Sequence, residues 1–170
     1  MKILALILTL SGLAFAHTGM LEHGGFNSGF LHPISGLDHI LAMIGVGMVA
    51  FHAVSKKYLL LVAFMGAMIV AAFAGRYGMP FLGVEEGILL SIAVVFTLIG
   101  FANRLSMNVL VPVIAFFGMF HGYAHGAEFE TGSFISFIAG FSVSTLCLHL
   151  TGIALASALS KTNLVKQLAR

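Results

Sequence analysis

His32-Pro33-Ile34-Ser35-Gly36-Leu37-Asp38-His39-Ile40-Leu41-Ala42-Met43-Ile44-Gly45-Val46-Gly47 opens a hydrophobic run long enough to cross a bilayer, yet its first turns carry two histidines and an aspartate. A carboxylate in hydrocarbon costs several kcal/mol unless it is paired or faces a polar cavity. The stretch therefore predicts a membrane helix built around a polar site, and the rest of the chain reads as its scaffold or as a second half of the same site.

The composition agrees. Of 170 residues, 59% are hydrophobic and 8% charged, against roughly 25% charged in a soluble domain. Too little polar surface exists to cover a water-exposed body, so the lipid bilayer is the expected surrounding. A formal net charge of +2 with no basic cluster excludes nucleic acid as a partner. Cys147 is the single cysteine, which rules out an intrachain disulfide and any CxxC metal or haem motif.

Residues 1–16 read as a signal peptide: Lys2, an apolar stretch from Ile3 to Leu13, then Ala14-Phe15-Ala16 as a small-x-small cleavage site. Cleavage there makes His17 the new N-terminus, where an α-amine and an imidazole together can chelate a divalent ion. The alternative is an uncleaved anchor with His17 an ordinary exposed residue. Residues 17–32 are expected to form a periplasmic lead-in without regular structure, because Gly24-Gly25 and Asn27-Ser28-Gly29 are turn-forming.

Five hydrophobic spans follow, at about Pro33–Phe51, Tyr58–Gly75, Gly83–Ala102, Met107–His125 and Phe134–Ala158. Each is near the ~20 residues that ~30 Å of hydrocarbon requires. They neither alternate nor are short enough for barrel strands. The expected fold is an all-α, polytopic transmembrane helix bundle over 33–160, with a tail at 161–170. Lys56, Lys57, Arg104, Lys161, Lys166 and Arg170 fall on one side of this bundle, and Glu22, Glu85, Glu86, Glu128 and Glu130 on the other with Arg76. The positive-inside rule then puts the mature N-terminus outside and the tail in the cytoplasm, as for a multi-pass protein of a bacterial inner membrane. Small residues at every fourth position (Ala63, Ala67, Ala71 and Gly75; Gly118, Gly122 and Gly126; Gly152, Ala156 and Ser160) predict close helix packing. A homo-oligomer is a candidate assembly.

At 100° per residue, His32 and His39 share one stripe with Gly36 and Met43, while Asp38 points about 100° away. Asp38 and His39 can flank one spot, or Asp38 can orient a ligating group from behind. On the fourth span His125 and Glu128 lie within about 40° of His121, on one face. Helical phase and loop charge place both clusters at the same outer depth. A bundle can thus close His32, Asp38, His39, His121, His125 and Glu128 around one outward-facing cavity. His149, midway along the fifth span, is either a deeper station or a hydrogen-bonded structural histidine. Imidazole with carboxylate suits nickel, cobalt and zinc, and the lack of thiolates argues against a tight structural zinc site.

His32-Pro33-x-x-Gly36-x-Asp38-His39-x-x-Ala42-Met43-x-x-Val46-Gly47 resembles the signature of the HupE/UreJ family of nickel/cobalt permeases, and Phe120-His121-Gly122-x-Ala124-His125-Gly126-x-Glu128 resembles that family's second segment. The resemblance covers nearly the whole chain. It implies that His32, Asp38 and His39 act in metal transport, that His17 helps capture the ion, and that uptake serves nickel enzymes such as hydrogenase or urease, or cobalt use in cobalamin. The leading expectation is a secondary permease for Ni2+, with Co2+ as the second candidate, carrying the ion as substrate and holding no tightly bound cofactor. Two alternatives stand beside it: a bis-His haem membrane cytochrome, against which the carboxylates speak, and an intramembrane metalloenzyme, which lacks an HExxH motif.

Overall fold

The computed structural model describes residues 24–53 and 55–162, and every element among them is helical. Six helices follow in order: α1 (Phe26–Ser35), α2 (Leu37–His52), α3 (Lys57–Arg76), α4 (Val84–Phe101), α5 (Met107–Glu128) and α6 (Phe134–Lys161), with a 3-10 turn at Ala102–Arg104 before α5. The helices α3, α4, α5 and α6 are each long and apolar enough to cross a membrane. The α1–α2 pair meets the same test only when taken together, and it is bent by 86°. This is the all-α bundle that hydropathy predicts, with four spans, or the expected five when the bent pair is one span, and with boundaries displaced by a few residues.

The first span departs from expectation. It is not one helix from Pro33. A helix begins at Phe26, inside the segment expected to be irregular, and Pro33 lies near its end rather than in a first turn. The glycines there serve contact, not turning. A Cβ on Gly29 would lie 2.0 Å from the Phe137 carbonyl oxygen, and one on Gly140 would lie 2.0 Å from that of Phe26. Thus α1 and the start of α6 touch backbone to backbone. The Ser28 hydroxyl, 2.9 Å from both the amide nitrogen and the carbonyl oxygen of Gly25, caps the helix. The chain then turns at Gly36 and resumes as α2.

The same device joins the long helices. Cβ atoms on Gly118, Gly122 and Gly126 of α5 would lie 2.5, 1.9 and 1.9 Å from the carbonyl oxygens of Phe64, Met68 and Ala72 on α3. Residues four apart on one helix meet residues four apart on the other, so the two backbones run side by side along three turns. Gly47 and Gly152 do this where α2 crosses α6, against the carbonyls of His149 and Ile44. Lipid tails are as apolar as leucine, so this close approach, and not water exclusion, is what holds the helices together. Of the expected alanine stripe on α3, Ala71 and Gly75 are buried, whereas Ala63 and Ala67 are only half-buried.

Met43, Val46, Leu60, Phe64, Met68, Leu110, Ile114 and Phe141 fill the centre. The helix α4 lies to one side. It meets α2 through Val95 against Gly45 and α5 through Gly87 against the Phe120 ring, and turns Leu90, Phe96 and Phe101 outward. At the end of the bundle where α5 gives way to α6, the Arg76 guanidinium donates to the Phe129 carbonyl at 3.2 Å and sits 5.3 Å over its ring.

Candidate metal centre

The corner at Gly36 builds the site. It puts His32, in the last turn of α1, against His39, in the first turn of α2, with ring centroids 5.8 Å apart. The last turn of α5 brings His125 to the same place, 4.4 Å from the His32 ring and 4.8 Å from the His39 ring. One ligating nitrogen from each of the three lies within 4.8 Å of the others. His39 and His125 are each 1% exposed, and His32 is half-buried. Their nearest ring nitrogens, both Nε2, are 2.9 Å apart.

Asp38 acts on this trio through His39. Its Oδ1 lies 3.0 Å from His39 Nδ1, where a carboxylate holds the imidazole proton on Nδ1 and leaves the Nε2 lone pair aimed at His125. This is the orienting arrangement common behind metal-bound histidines. Asp38 thus lies beside the His39 ring and not among the three converging nitrogens. It also needs Gly36 to be bare, since a Cβ there would lie 2.7 Å from Asp38 Oδ1 and 2.9 Å from His39 Nδ1. The variant Gly36→Ala should displace both side chains and weaken Co2+ binding about 10-fold. A Co2+ titration of purified protein, followed by visible absorption, checks this.

The route by which His32 and His39 meet corrects the sequence reading. They do not share a stripe on a continuous helix; they lie on two helices at an 86° angle. His121 and His125 do lie on one face of α5 as expected, but they make different contacts. The His121 ring is 5.3 Å from that of His39, and its Nε2 is 3.0 Å from Ser91 Oγ on α4. Glu128, the last residue of α5, is exposed and lies outside the trio. His149 is fully buried, with Nδ1 2.7 Å from the Met43 carbonyl oxygen. His17 falls outside the described residues.

Sequence reasoning passed over Ser91, although a serine in an apolar span is itself a signal. It also passed over the aromatic wall. Phe141 lies 4.3 Å from the His125 ring and 6.3 Å from that of His32, and Phe137 lies 6.0 Å from His32. These rings limit water access and strengthen electrostatic interactions inside the site. Three neutral-capable imidazoles, one backed by a carboxylate, make a nitrogen-rich seat for a divalent transition metal.

The sequence matches the HupE / UreJ protein family over residues 4–170. Protein HupE of Rhizobium leguminosarum bv. viciae is 38% identical over 152 residues, which span 88% of this chain and 79% of that protein. No solved structure matches. A family match across nearly the full length, together with that relative, places the chain among membrane transporters rather than enzymes: it belongs to the HupE/UreJ family.

Proposed function

We propose that this protein is an inner-membrane permease that takes up Ni2+, with Co2+ as the second candidate, from the periplasm to supply nickel enzymes such as hydrogenase or urease. The observation that carries this reading is the convergence of His32, His39 and His125, one ligand nitrogen of each lying within 4.8 Å of the others. Three imidazoles with a carboxylate behind one of them suit a late first-row divalent ion such as nickel or cobalt. A bis-His haem would use two of the imidazoles and leave the third and the carboxylate without a role.

The ion is the cargo. On this reading His17 raises its concentration at the outer face. His32, His39 and His125 replace part of its water shell, with Asp38 fixing His39. Glu128 lies at the exposed mouth and completes the attraction for a dication. Lys56, Lys57, Arg104 and Lys161 gather at the opposite end of the helices, which supports a cytoplasmic location for that end. An inside-negative membrane then draws the ion inward by about 2.3 kcal/mol per charge per 100 mV. The chain offers three converging donors, few enough for a carrier that must release what it binds.

Purified protein in liposomes enclosing a Ni2+-sensitive dye, with an imposed inside-negative potential, tests the reading. Ni2+ or Co2+ should accumulate well above the level in empty liposomes while Mg2+ does not. Uptake of neither transition metal would overturn it.

A further inference from the structure

The polar side chains buried among the described residues fall in three places. Ser28 caps α1. His39, His121 and His125, with Ser91 against His121, stand at or beside the trio. The others, Ser144, Thr145 and His149, all lie on α6, and each is 0% exposed.

These three are not bonded as structural groups in a membrane helix usually are. The exposed Thr97 and Thr151 show the ordinary solution: each hydroxyl donates at 2.8 Å to a carbonyl one turn back on its own helix. The Thr145 hydroxyl instead points across to the Met68 thioether of α3, 4.0 Å away. The sulfur takes its proton, and the oxygen lone pairs stay bare. The Ser144 Oγ has no hydrogen-bond partner among the described residues. The His149 Nδ1 lies 2.7 Å from the Met43 carbonyl oxygen. A carbonyl can only accept, so Nδ1 carries the proton and Nε2 the lone pair. That Nε2 also has no hydrogen-bond partner among the described residues. Bare acceptors in the interior of a membrane bundle mark the route of an ion more often than they mark packing.

Their placement gives the route a direction. The Phe141 ring lies 4.3 Å from that of His125, so α6 meets the trio there. Thr145 and His149 follow at intervals of four residues, about 6 Å deeper each time and about 40° round the helix. The opposite wall is α3, in matching steps. Met68 faces Thr145, and Phe64, one turn further from the trio, faces His149 with ring centroids 5.2 Å apart.

Resting on the transport reading above, we propose that the cation leaves the trio along the seam between α3 and α6, passing the Thr145 hydroxyl beside the Met68 thioether and then, one turn deeper, the His149 Nε2. These are separate steps, each with fewer donors than the trio, so neither holds the ion long. Thioether and imidazole suit Ni2+ or Co2+ and offer little to Mg2+, so the seam adds selectivity to that of the outer site.

Isosteric variants separate this from a structural role. Thr145→Val keeps the shape and loses the oxygen. In His149→Asn the amide nitrogen takes the position of Nδ1 and still donates to Met43, but no Nε2 remains. In liposomes each should lower Ni2+ and Co2+ uptake about 10-fold, and Thr145→Ser, which keeps the hydroxyl, should restore most of the rate. Co2+ binding at the trio, read by visible absorption, should persist in all three. Uptake at the wild-type rate in both Thr145→Val and His149→Asn would overturn the path. A second measurement does not depend on transport rates. Thr145→Cys, made together with Cys147→Ala to remove the exposed native thiol, is placed in lipid nanodiscs with Co2+. A thiolate that binds Co2+ gives a near-ultraviolet charge-transfer band. That band should appear in the double variant and be missing from Cys147→Ala alone. Its absence from the double variant would mean that the ion does not reach α6 at this depth, and would also overturn the path. Failure of the wild type to carry either ion would instead sink the transport reading, and the path with it.

Discussion

Replacing His39 by Ala is expected to abolish Ni2+ uptake, by about 100-fold or more, while the protein still reaches the membrane. His39 is the residue on which the other parts of the site converge. Its Nε2 faces His125 Nε2 at 2.9 Å, its Nδ1 meets Asp38 at 3.0 Å, and its ring adjoins both His32 and His121. Removing it takes one of three nitrogens from the ion and cuts the carboxylate off from the other two. Each tenfold loss corresponds to about 1.4 kcal/mol, and one metal–imidazole bond with its oriented partner is worth several times that. Asp38→Asn should be milder, about 10- to 100-fold in metal affinity, because the amide oxygen can still accept from Nδ1 although the negative charge is gone. Asp38→Ala, which loses orientation as well, should fall below Asp38→Asn. Initial rates of radiolabelled Ni2+ uptake, normalised to the amount of protein in the membrane, give all three values. A His39→Ala variant that keeps more than about a tenth of the wild-type rate would falsify the placement of the ion at the trio.

How much of this site could be read in advance depends on which force placed each residue. The long spans were legible because bilayer thickness imposes a length that hydropathy exposes directly; α3, α5 and α6 begin within one residue of expectation. The pairing of His121 with His125 on one face was legible because α5 is an uninterrupted helix. The meeting of His32 with His39 was expected for a different reason from the one that operates. Seven residues on a straight helix and a right-angled corner after residue 35 both bring the rings together, and only tertiary packing distinguishes them. The helix α1 was illegible for a related reason. Its glycines look like turn residues until Phe137 and Gly140 of α6 supply the surface that needs them bare. Ser91 could be noticed as a serine in an apolar span, but its partner, like that of the Met43 carbonyl, was beyond reach because it depends on contacts 30 and 106 residues away in sequence.

The second large effect concerns the frame and not the ion. Gly122→Ala is expected to destabilise the protein by about 3 kcal/mol, and Gly122→Leu to leave almost none of it folded in the membrane. An added Cβ would lie 1.9 Å from the Met68 carbonyl oxygen and 2.7 Å from the Met68 Cα. Both are main-chain atoms, so no side chain can rotate aside. Separating α3 from α5 by more than an ångström is the remaining response. The contacts at Gly118 and Gly126, one turn to either side, hold the helices at the same spacing and would be lost with it. No water-driven collapse closes the gap again in lipid. The same helix carries His125, so even a variant that survives should bind Co2+ poorly. Controls exist within the same chain: a Cβ on Gly66 or Gly100 meets nothing within 4 Å, and an alanine there should be neutral or slightly stabilising through helix propensity. Thermal melting of detergent-solubilised protein, read as the surviving monodisperse fraction on size exclusion, compares the four variants. If Gly122→Ala melts with Gly66→Ala, the helices do not depend on this backbone contact, and the architecture that brings His125 to the corner at Gly36 must be held together elsewhere.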